Sequence, residues 1–197
     1  MSLSLRSYTF RNSHPFRNCS NLRTLKLYLI NATKVEVFNT LLSSCPSLEV
    51  LVLYIACTYY NIGLPLKIEN NKLKILQVLL INIGGLKVSS TSLNILFIDS
   101  ISFKDRFFLC APDSNLDNNN ASNESWEKKF WEEVNNNNVA FPNAKFRVKN
   151  LRMPNFSGLE EEFAFASCLI KHGTVIDKMM IKTSNLFKNE RHCLSSS

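Results

Sequence analysis

The sequence has little of what enzyme active sites and metal sites are built from. Its three histidines, His14, His172 and His192, lie at least 20 residues apart. It contains no G-x-G-x-x-G, G-x-x-x-x-G-K-[ST], H-E-x-x-H or G-x-S-x-G motif, the patterns typical of dinucleotide sites, phosphate loops, zinc proteases and serine hydrolases. We therefore expect no catalytic residue, no metal site and no cofactor. The chain is predicted not to be an enzyme.

Two groups of residues could be taken for catalytic or metal-binding groups, and each has a simpler explanation. Glu160, Glu161 and Glu162 follow one another at the start of a predicted helix, where carboxylates are stabilised by the positive end of the helix dipole. His172 precedes Gly173 at the end of the same helix and is suited to binding its terminal carbonyl groups. We interpret both groups as features of the helix.

Closely spaced cysteines are also absent. Metal sites and disulfide scaffolds require cysteines at short, regular spacing, and no C-x-x-C pair occurs. We predict reduced, mostly buried cysteines of an intracellular protein, in the cytoplasm or the nucleus. The six are Cys19, Cys45, Cys57, Cys110, Cys168 and Cys193.

Long apolar runs are lacking as well. No run approaches the roughly 20 residues of a membrane-spanning helix, and the first residues, MSLSLRSYTFR, contain no continuous apolar stretch before their first charges. No secretory signal and no membrane partner are expected.

The charge is positive but dispersed. The net charge is +7, and residues 1–110 contain 12 Lys and Arg against 5 Asp and Glu. The basic residues are singly spaced and form no nucleic-acid motif, so a solvated basic surface is favoured over nucleic-acid binding.

What the sequence does contain is a repeat. The pattern L-x-x-L-x-L, allowing Val or Ile at its last position, begins at Leu22 (LRTLKL), Leu48 (LEVLVL), Leu73 (LKILQV) and Leu93 (LNILFI). The spacings of 26, 25 and 20 residues lie in the range typical of leucine-rich repeats. The fourth and sixth positions share one face of a short strand, and that face is buried only when neighbouring repeats stack. We therefore predict an α/β leucine-rich-repeat solenoid of stacked parallel strands, with helices or turns on its convex side.

The connections and the second half extend this prediction. Val35, Phe38, Leu41 and Leu42 predict a convex-side helix that ends before Pro46, whereas the two later connections predict turns or short strands. LSLSL near the N-terminus resembles an earlier strand of the repeat. VKNLRM from Val148 and IDKMMI from Ile176 restore the register, with Ile176, Met179 and Ile181 in the pattern positions.

A helix is predicted between these two late strands. Ser157 and Glu160 form a capping box at its start, and Gly173 ends it in the left-handed conformation. Its buried face is predicted to contain Leu159, Phe163, Ala166, Leu169 and Ile170.

Composition divides the chain into four parts. Residues 1–110 are the repeats, and residues 111–145 are Asn-rich loops around one amphipathic helix containing Trp126 and Trp131. Residues 146–187 form the strand–helix–strand unit, and residues 188–197 are a disordered tail.

Two stretches resemble a known family. NLRMPNFSGLEEEFAFASCLIKHGTVIDKMMIKTS is similar to the FBD module of plant F-box proteins, and LLSSCPSLEVLVL is similar to the leucine-rich repeats that precede it. The resemblance to F-box/FBD/LRR-repeat proteins covers about residues 20–187. It implies a repeat surface that recruits a protein for ubiquitylation, while an F-box docks a Skp-type adaptor of a cullin ligase. No F-box precedes the repeats in this sequence, so adaptor and cullin are expected partners only of a longer form.

The candidate functional site is the outward side of the repeat strands. Their outward positions are unusually apolar for a solvent-facing surface, which is typical of partner sites. In the predicted solenoid these outward positions line the concave face. We predict that this face binds a protein substrate of unknown identity. The candidate residues are Lys26, Tyr28, Val52, Tyr54, Gln77, Leu79, Phe97 and Asp99.

Other readings stay open at this point. A scaffold or decoy repeat protein, or a truncated gene product, would have the same repeats and no ubiquitin role. The outward positions would also be apolar if a loop covered them or if the strands were buried on both sides.

Overall fold

A computed structural model describes the repeats and the late strand–helix–strand unit. The described residues are 1–13, 16, 19–61, 65–83, 85–99, 106–110, 147–156, 158, 160–171 and 173–183. The predicted Asn-rich loops, the helix around Trp126, the tail, Ser157, Leu159 and the three histidines lie outside these residues.

The described residues form eleven strands and two helices. The strands are β1 (Ser2–Arg6), β2 (Thr9–Phe10), β3 (Thr24–Ala32), β4 (Val50–Asn61), β5 (Leu66–Glu69), β6 (Ile75–Ile83), β7 (Gly85–Ser89), β8 (Ile95–Ile98), β9 (Arg106–Cys110), β10 (Val148–Phe156) and β11 (Val175–Thr183). The helices are α1 (Val35–Ser43) and α2 (Glu160–Lys171).

Most strands stack into one long parallel sheet. Its order is β1, β3, β4, β6, β8, β10 and β11, and β2 pairs with β3 beyond the end of β1. Each strand therefore lies beside the preceding member of the sheet in chain order, which is how a repeat solenoid is built. The prediction of side-by-side parallel strands is confirmed, including the early strand LSLSL, which is β1.

The repeated leucines form the core. Leu25 pairs in register with Leu51, Leu51 with Leu76, and Leu76 with Leu96, so each side chain lies against its equivalent in the next strand. Burial of each such side chain stabilises the fold by about 2 kcal/mol. The fourth and sixth pattern positions are at most 2% exposed: Leu25, Leu27, Leu51, Leu53, Leu76, Val78, Leu96 and Ile98.

The other side of the solenoid begins with a helix and continues with strands. The predicted helix is α1, and its apolar side chains Val35, Phe38, Leu41 and Leu42 are buried. The later connections form a second parallel sheet in the order β5, β7, β9. A strand advances about 3.3 Å per residue and a helix about 1.5 Å, so the short third repeat returns to the long sheet only through extended chain.

Tight turns lead into the strands of the long sheet. The amides of Leu22, Leu48 and Leu73 each bond to the carbonyl oxygen three residues earlier, at 3.1, 3.4 and 3.3 Å. Cys45 is one of these turn residues and is buried, as is Cys57, while Cys19 is half-buried. The predicted burial is confirmed for the first two.

The late unit continues the same sheet. β10 pairs with β8 on one side and β11 on the other, in parallel, with α2 as the crossover. Gly173 lies just after α2 and has a φ of +60°. The Thr174 amide bonds to the Leu169 carbonyl oxygen at 2.9 Å. The predicted left-handed helix end is confirmed.

The predicted buried face of α2 is partly wrong. Ala166 and Leu169 are buried, but Phe163 and Ile170 are 56% and 64% exposed. The other inward positions belong to Phe165 and to Glu162, whose carboxylate accepts a hydrogen bond from the Gly158 amide at 2.7 Å. This hydrogen bond gives the buried carboxylate a partner. The hydrophobic pattern does not include Glu162 in the buried face.

The predicted register of β11 is wrong at its first position. Val175 pairs with Val148, and a bulge then shifts the strand so that Met179 pairs with Leu151 and Ile181 with Met153. Ile176 lies in the bulge and is 61% exposed.

Candidate interaction surface

The long sheet has one face that points away from the core, here called the outer face. Side chains alternate along a strand, so burial of the repeated leucines directs the residues between them to this face. Register pairing carries one row across it, from Lys26 to Val52, Gln77 and Phe97. A second row runs from Tyr28 to Tyr54 and Leu79.

All eight predicted residues thus lie on the outer face. Asp99 ends the second row, because its amide bonds to the Val78 carbonyl oxygen at 2.8 Å and so continues the pairing of β8 with β6. Seven of the eight are half-buried, and Val52 is only 5% exposed. Their role in binding stays a prediction.

Aromatic and amide side chains contact one another across neighbouring strands. The rings of Tyr28 and Tyr54 meet edge to face, with centroids 5.4 Å apart and planes at 88°. The Gln77 amide donates to the Tyr54 hydroxyl at 2.5 Å. Contacts of this kind hold side chains in fixed positions, which lowers the entropy lost on binding.

Asp99 is held at the edge of this group. Its carboxylate accepts a hydrogen bond from the Asn155 side chain of β10. Burial of Tyr54 raises the pKa of its hydroxyl above the usual value, and the nearby Asp99 carboxylate raises it further. The hydrogen bond between the phenol and the Asp99 carboxylate also favours the protonated hydroxyl, which is the donor in that bond.

The centre and the flanks of the outer face differ in charge. The outward positions of β4, β6 and β8 contain no Lys or Arg, and Asp99 at the end of β8 is their one charged group. Cations lie on both sides. They are Arg6 of β1, Lys26 of β3, Arg152 of β10, and Lys178 and Lys182 of β11.

A separate group of charges occupies the strand-entry edge. Glu49 lies between Lys74, whose ammonium is 2.7 Å from its carboxylate, and Arg23, at 3.6 Å. The Lys74 hydrogen bond lowers the pKa of the Glu49 carboxyl. These two cations are therefore paired within the protein.

Sequence reasoning missed part of this surface. Arg152, Asn155 and Lys178 belong to the late strands, and Arg6 belongs to the first. The signal was present, because Val148, Leu151 and Met153 fix the register of β10 and thereby direct Asn150 and Arg152 outward. The predicted surface covers only the outward positions of β3, β4, β6 and the region of β8.

The described residues offer little for other chemistry. They contain no cluster of three side chains suited to a metal ion. Neither α1 nor α2 is long and apolar enough to cross a membrane.

Comparison with known proteins identifies relatives. The chain is 40% identical to the F-box protein At1g80960 of Arabidopsis thaliana, over 97% of this chain and 57% of that protein. It is 31% identical to the putative F-box protein At1g67390 (96% and 57%) and 30% identical to the F-box protein At3g60790 (93% and 54%), both from the same plant. No protein-family profile and no solved structure matches the chain.

The relatives differ from this chain in length. The chain spans little more than half of each of them. In addition, the alignment to At1g80960 extends over 277 positions, whereas 97% of this chain is about 191 residues. About 86 positions inside the aligned span of that relative therefore have no counterpart here.

Proposed function

We propose that this chain is a non-catalytic protein-interaction module of the plant F-box family, and that its outer face binds the partner. The observation that carries the proposal is the pair of in-register rows, in which most residues are half-buried and most central ones are apolar or aromatic, on strands whose opposite side is the core. Relatives named F-box proteins at 30–40% identity support the family assignment.

Within this proposal the two parts have distinct identities. Residues 1–110 are leucine-rich repeats, which the L-x-x-L-x-L pattern and its spacing support. Residues 146–187 are an FBD unit, which the resemblance of that stretch supports. Direct pairing of β10 with β8 joins the two into one sheet.

We further propose that the bound partner is a substrate of a ubiquitin ligase. In that role the outer face selects the protein, and an F-box in a longer form of the chain docks the adaptor. A scaffold or decoy without a ubiquitin role would use the same outer face and would lack the adaptor.

Affinity capture from plant extract tests these proposals. The tagged chain is compared with Leu79→Ser/Phe97→Ser, which replaces two outward apolar residues of the central strands. The matched control is Phe163→Ser/Ile170→Ser, because these side chains are also large and apolar and are accessible, but lie on α2. Circular dichroism and unfolding temperatures verify that all three proteins are folded.

The expected result is at least one protein that is captured by the unchanged chain and the control and reduced at least fivefold with the outer-face variant. Equal capture by all three proteins would contradict binding by the outer face. A ubiquitin-ligase role further requires Skp-type adaptor and cullin to co-purify with the longest form expressed in the plant. Their absence beside a partner that depends on the outer face would favour the scaffold.

A further inference from the structure

The charge pattern of the outer face narrows the class of partner. Lys26, Val52, Gln77, Phe97 and Arg152 pair in one continuous row across five neighbouring strands. Within this row a cation therefore stands on each side of three uncharged residues, and the row continues to Ser4 of β1 and Met180 of β11.

The length of this row follows from strand geometry. Neighbouring strands are about 4.8 Å apart, so four steps separate Lys26 from Arg152 by about 19 Å. An extended chain advances about 3.3 Å per residue and covers that distance in roughly six residues.

The flanking cations are available to a partner. Among the described residues, Arg6, Lys26, Arg152, Lys178 and Lys182 form no ion pair, whereas Arg23 and Lys74 share Glu49. Cations beside a low-dielectric apolar surface attract anions more strongly than isolated surface lysines do.

We propose that the outer face binds an extended acidic segment of a partner protein, in which two carboxylates about five to seven residues apart bracket apolar side chains. The carboxylates lie against Lys26 and Arg152, and the apolar residues lie over the middle of the row and contact Phe97. This inference rests on the proposed function, because it specifies the partner of the same surface.

A protein segment fits this pattern better than a nucleic acid. A nucleic-acid strand carries a phosphate at every nucleotide and is bound by cations placed along its whole path. The middle of the row has none, and the Asp99 carboxylate in the next row repels phosphate.

Peptide selection tests the inference. A random 12-residue peptide library displayed on phage is selected on the full chain, and enriched peptides are then measured by fluorescence anisotropy. We expect enriched peptides with two acidic residues at the stated spacing and apolar residues between them. Their affinity should fall about fivefold or more between 50 and 500 mM NaCl, because salt screens the ion pairs.

Charge reversal provides the decisive comparison. Lys26→Glu/Arg152→Glu should weaken the enriched peptides at least tenfold. Lys34→Glu/Lys72→Glu makes the same change at two exposed lysines off the row and should weaken them less than twofold. Unfolding temperatures of both variants verify the fold.

Each remaining outcome overturns the inference. These outcomes are peptides without acidic residues, no enriched peptides, or affinities insensitive to Lys26→Glu/Arg152→Glu. A 20-nucleotide oligo(dT) that binds as tightly as the peptides and weakens in the same variant would make the surface a nucleic-acid site. If the peptide experiments give one of the first three outcomes, the proposed function is still supported when the affinity capture loses a protein with Leu79→Ser/Phe97→Ser.

Discussion

Two residues at the end of the first strands adopt the left-handed backbone conformation. Ser7 and Leu29 both have a φ of +53°, and they follow the paired residues Arg6 and Tyr28. Leu29 is the extra residue of a bulge, because Tyr28 pairs with Tyr54 and Ile30 with the next residue, Ile55. A branched side chain in this conformation costs about 1–2 kcal/mol.

Leu29→Asn should therefore stabilise the protein. Asn tolerates this conformation, and Leu29 is 59% exposed, so little packing is lost. We expect the free energy of unfolding to rise by about 0.5–1 kcal/mol in urea denaturation. Leu29→Val is the control and should lower it, because a β-branched residue is more strained there. Equal stability of the two variants would contradict this account.

Cys45 makes stability depend on pH in the alkaline range. Burial, together with neighbouring Cys19, raises the pKa of the Cys45 thiol to about 11, against 9.0 for an unperturbed thiol. Above pH 9 the unfolded chain loses this proton while the folded chain retains it. The contribution is complete below pH 9 and is lost as the pH rises towards 11.

The predicted loss is on the order of 2 kcal/mol between pH 8.5 and 11. It is measured as the difference in unfolding free energy between the unchanged chain and Cys45→Ala, because the other titrating groups cancel in that difference. A difference that stays constant over this range would show that Cys45 is not responsible. Cys45 should also react with iodoacetamide at pH 8 far more slowly in the folded protein than in urea.

At the scale of elements, one side chain connects α1 to β5, the first strand of the second sheet. Asn39 of α1 donates to the Pro65 carbonyl oxygen at 3.2 Å and accepts from the Lys67 amide at 2.7 Å. These are the two bonds that a neighbouring strand would make with β5. Asn39 thus completes the edge of the second sheet where the preceding repeat contains a helix.

Asn39→Ala should cost about 1–3 kcal/mol, because it removes the hydrogen bonds to the Pro65 carbonyl oxygen and from the Lys67 amide. Hydrogen exchange at the Lys67 amide should accelerate in this variant. Asn39→Asp retains the acceptor and loses the donor, so it should protect Lys67 and cost less. If Asn39→Ala exchanges at Lys67 like the unchanged chain, the proposed edge contact is absent in solution.

The elements also show what the sequence could predict. The inward leucines of β3, β4, β6 and β8 followed from alternation, because each strand has a core on one side and a neighbour on both edges. The predicted face of α2 is partly wrong, because apolar residues occur on several sides of the helix. Glu162 is buried through its bond to the Gly158 amide, while Phe163 contacts Phe156 with ring centroids 4.9 Å apart and stays exposed.

For the candidate site, the sequence predicts which residues lie on the outer face but not which of them contact one another. Alternation placed eight residues on the outer face, since their inward neighbours were clearly apolar. The pairs formed there, Tyr54 with Gln77 and Asp99 with Asn155, depend on side-chain rotamers and on which strands are adjacent. The register of VKNLRM predicts that β10 joins the sheet, but no spacing rule specifies its neighbour across more than 40 intervening residues.

At the scale of the whole molecule, stacking permits changes in length. Each repeat contacts only its neighbours, so removal of whole repeats leaves equivalent surfaces to pair. The roughly 86 positions of At1g80960 without a counterpart here equal, in total, the length of three or four repeats of 20–29 residues. Loss of complete repeats would change the width of the outer face without disturbing its register.

The two ends of the long sheet should be its least stable parts. β4 and β6 have paired strands on both edges, whereas β11 pairs with one strand among the described residues, and its inward Ile181 is 41% exposed. Local opening requires fewer contacts to break at such an end. Amide exchange should therefore be fastest in β1 and β11 and slowest in β4 and β6.

Two substitutions test the same difference between the centre and the end of the sheet through the free energy of unfolding. Leu51→Ala in β4 should cost about 3 kcal/mol, because its side chain is 1% exposed and is covered from both neighbouring strands. Met179→Ala at the equivalent position of β11 should cost about 1 kcal/mol or less, because Met179 is half-buried and β10 is the one strand beside it in the described part of the chain. Uniform exchange along the sheet, together with equal costs, would mean that another element covers β11 and that the solenoid does not end there.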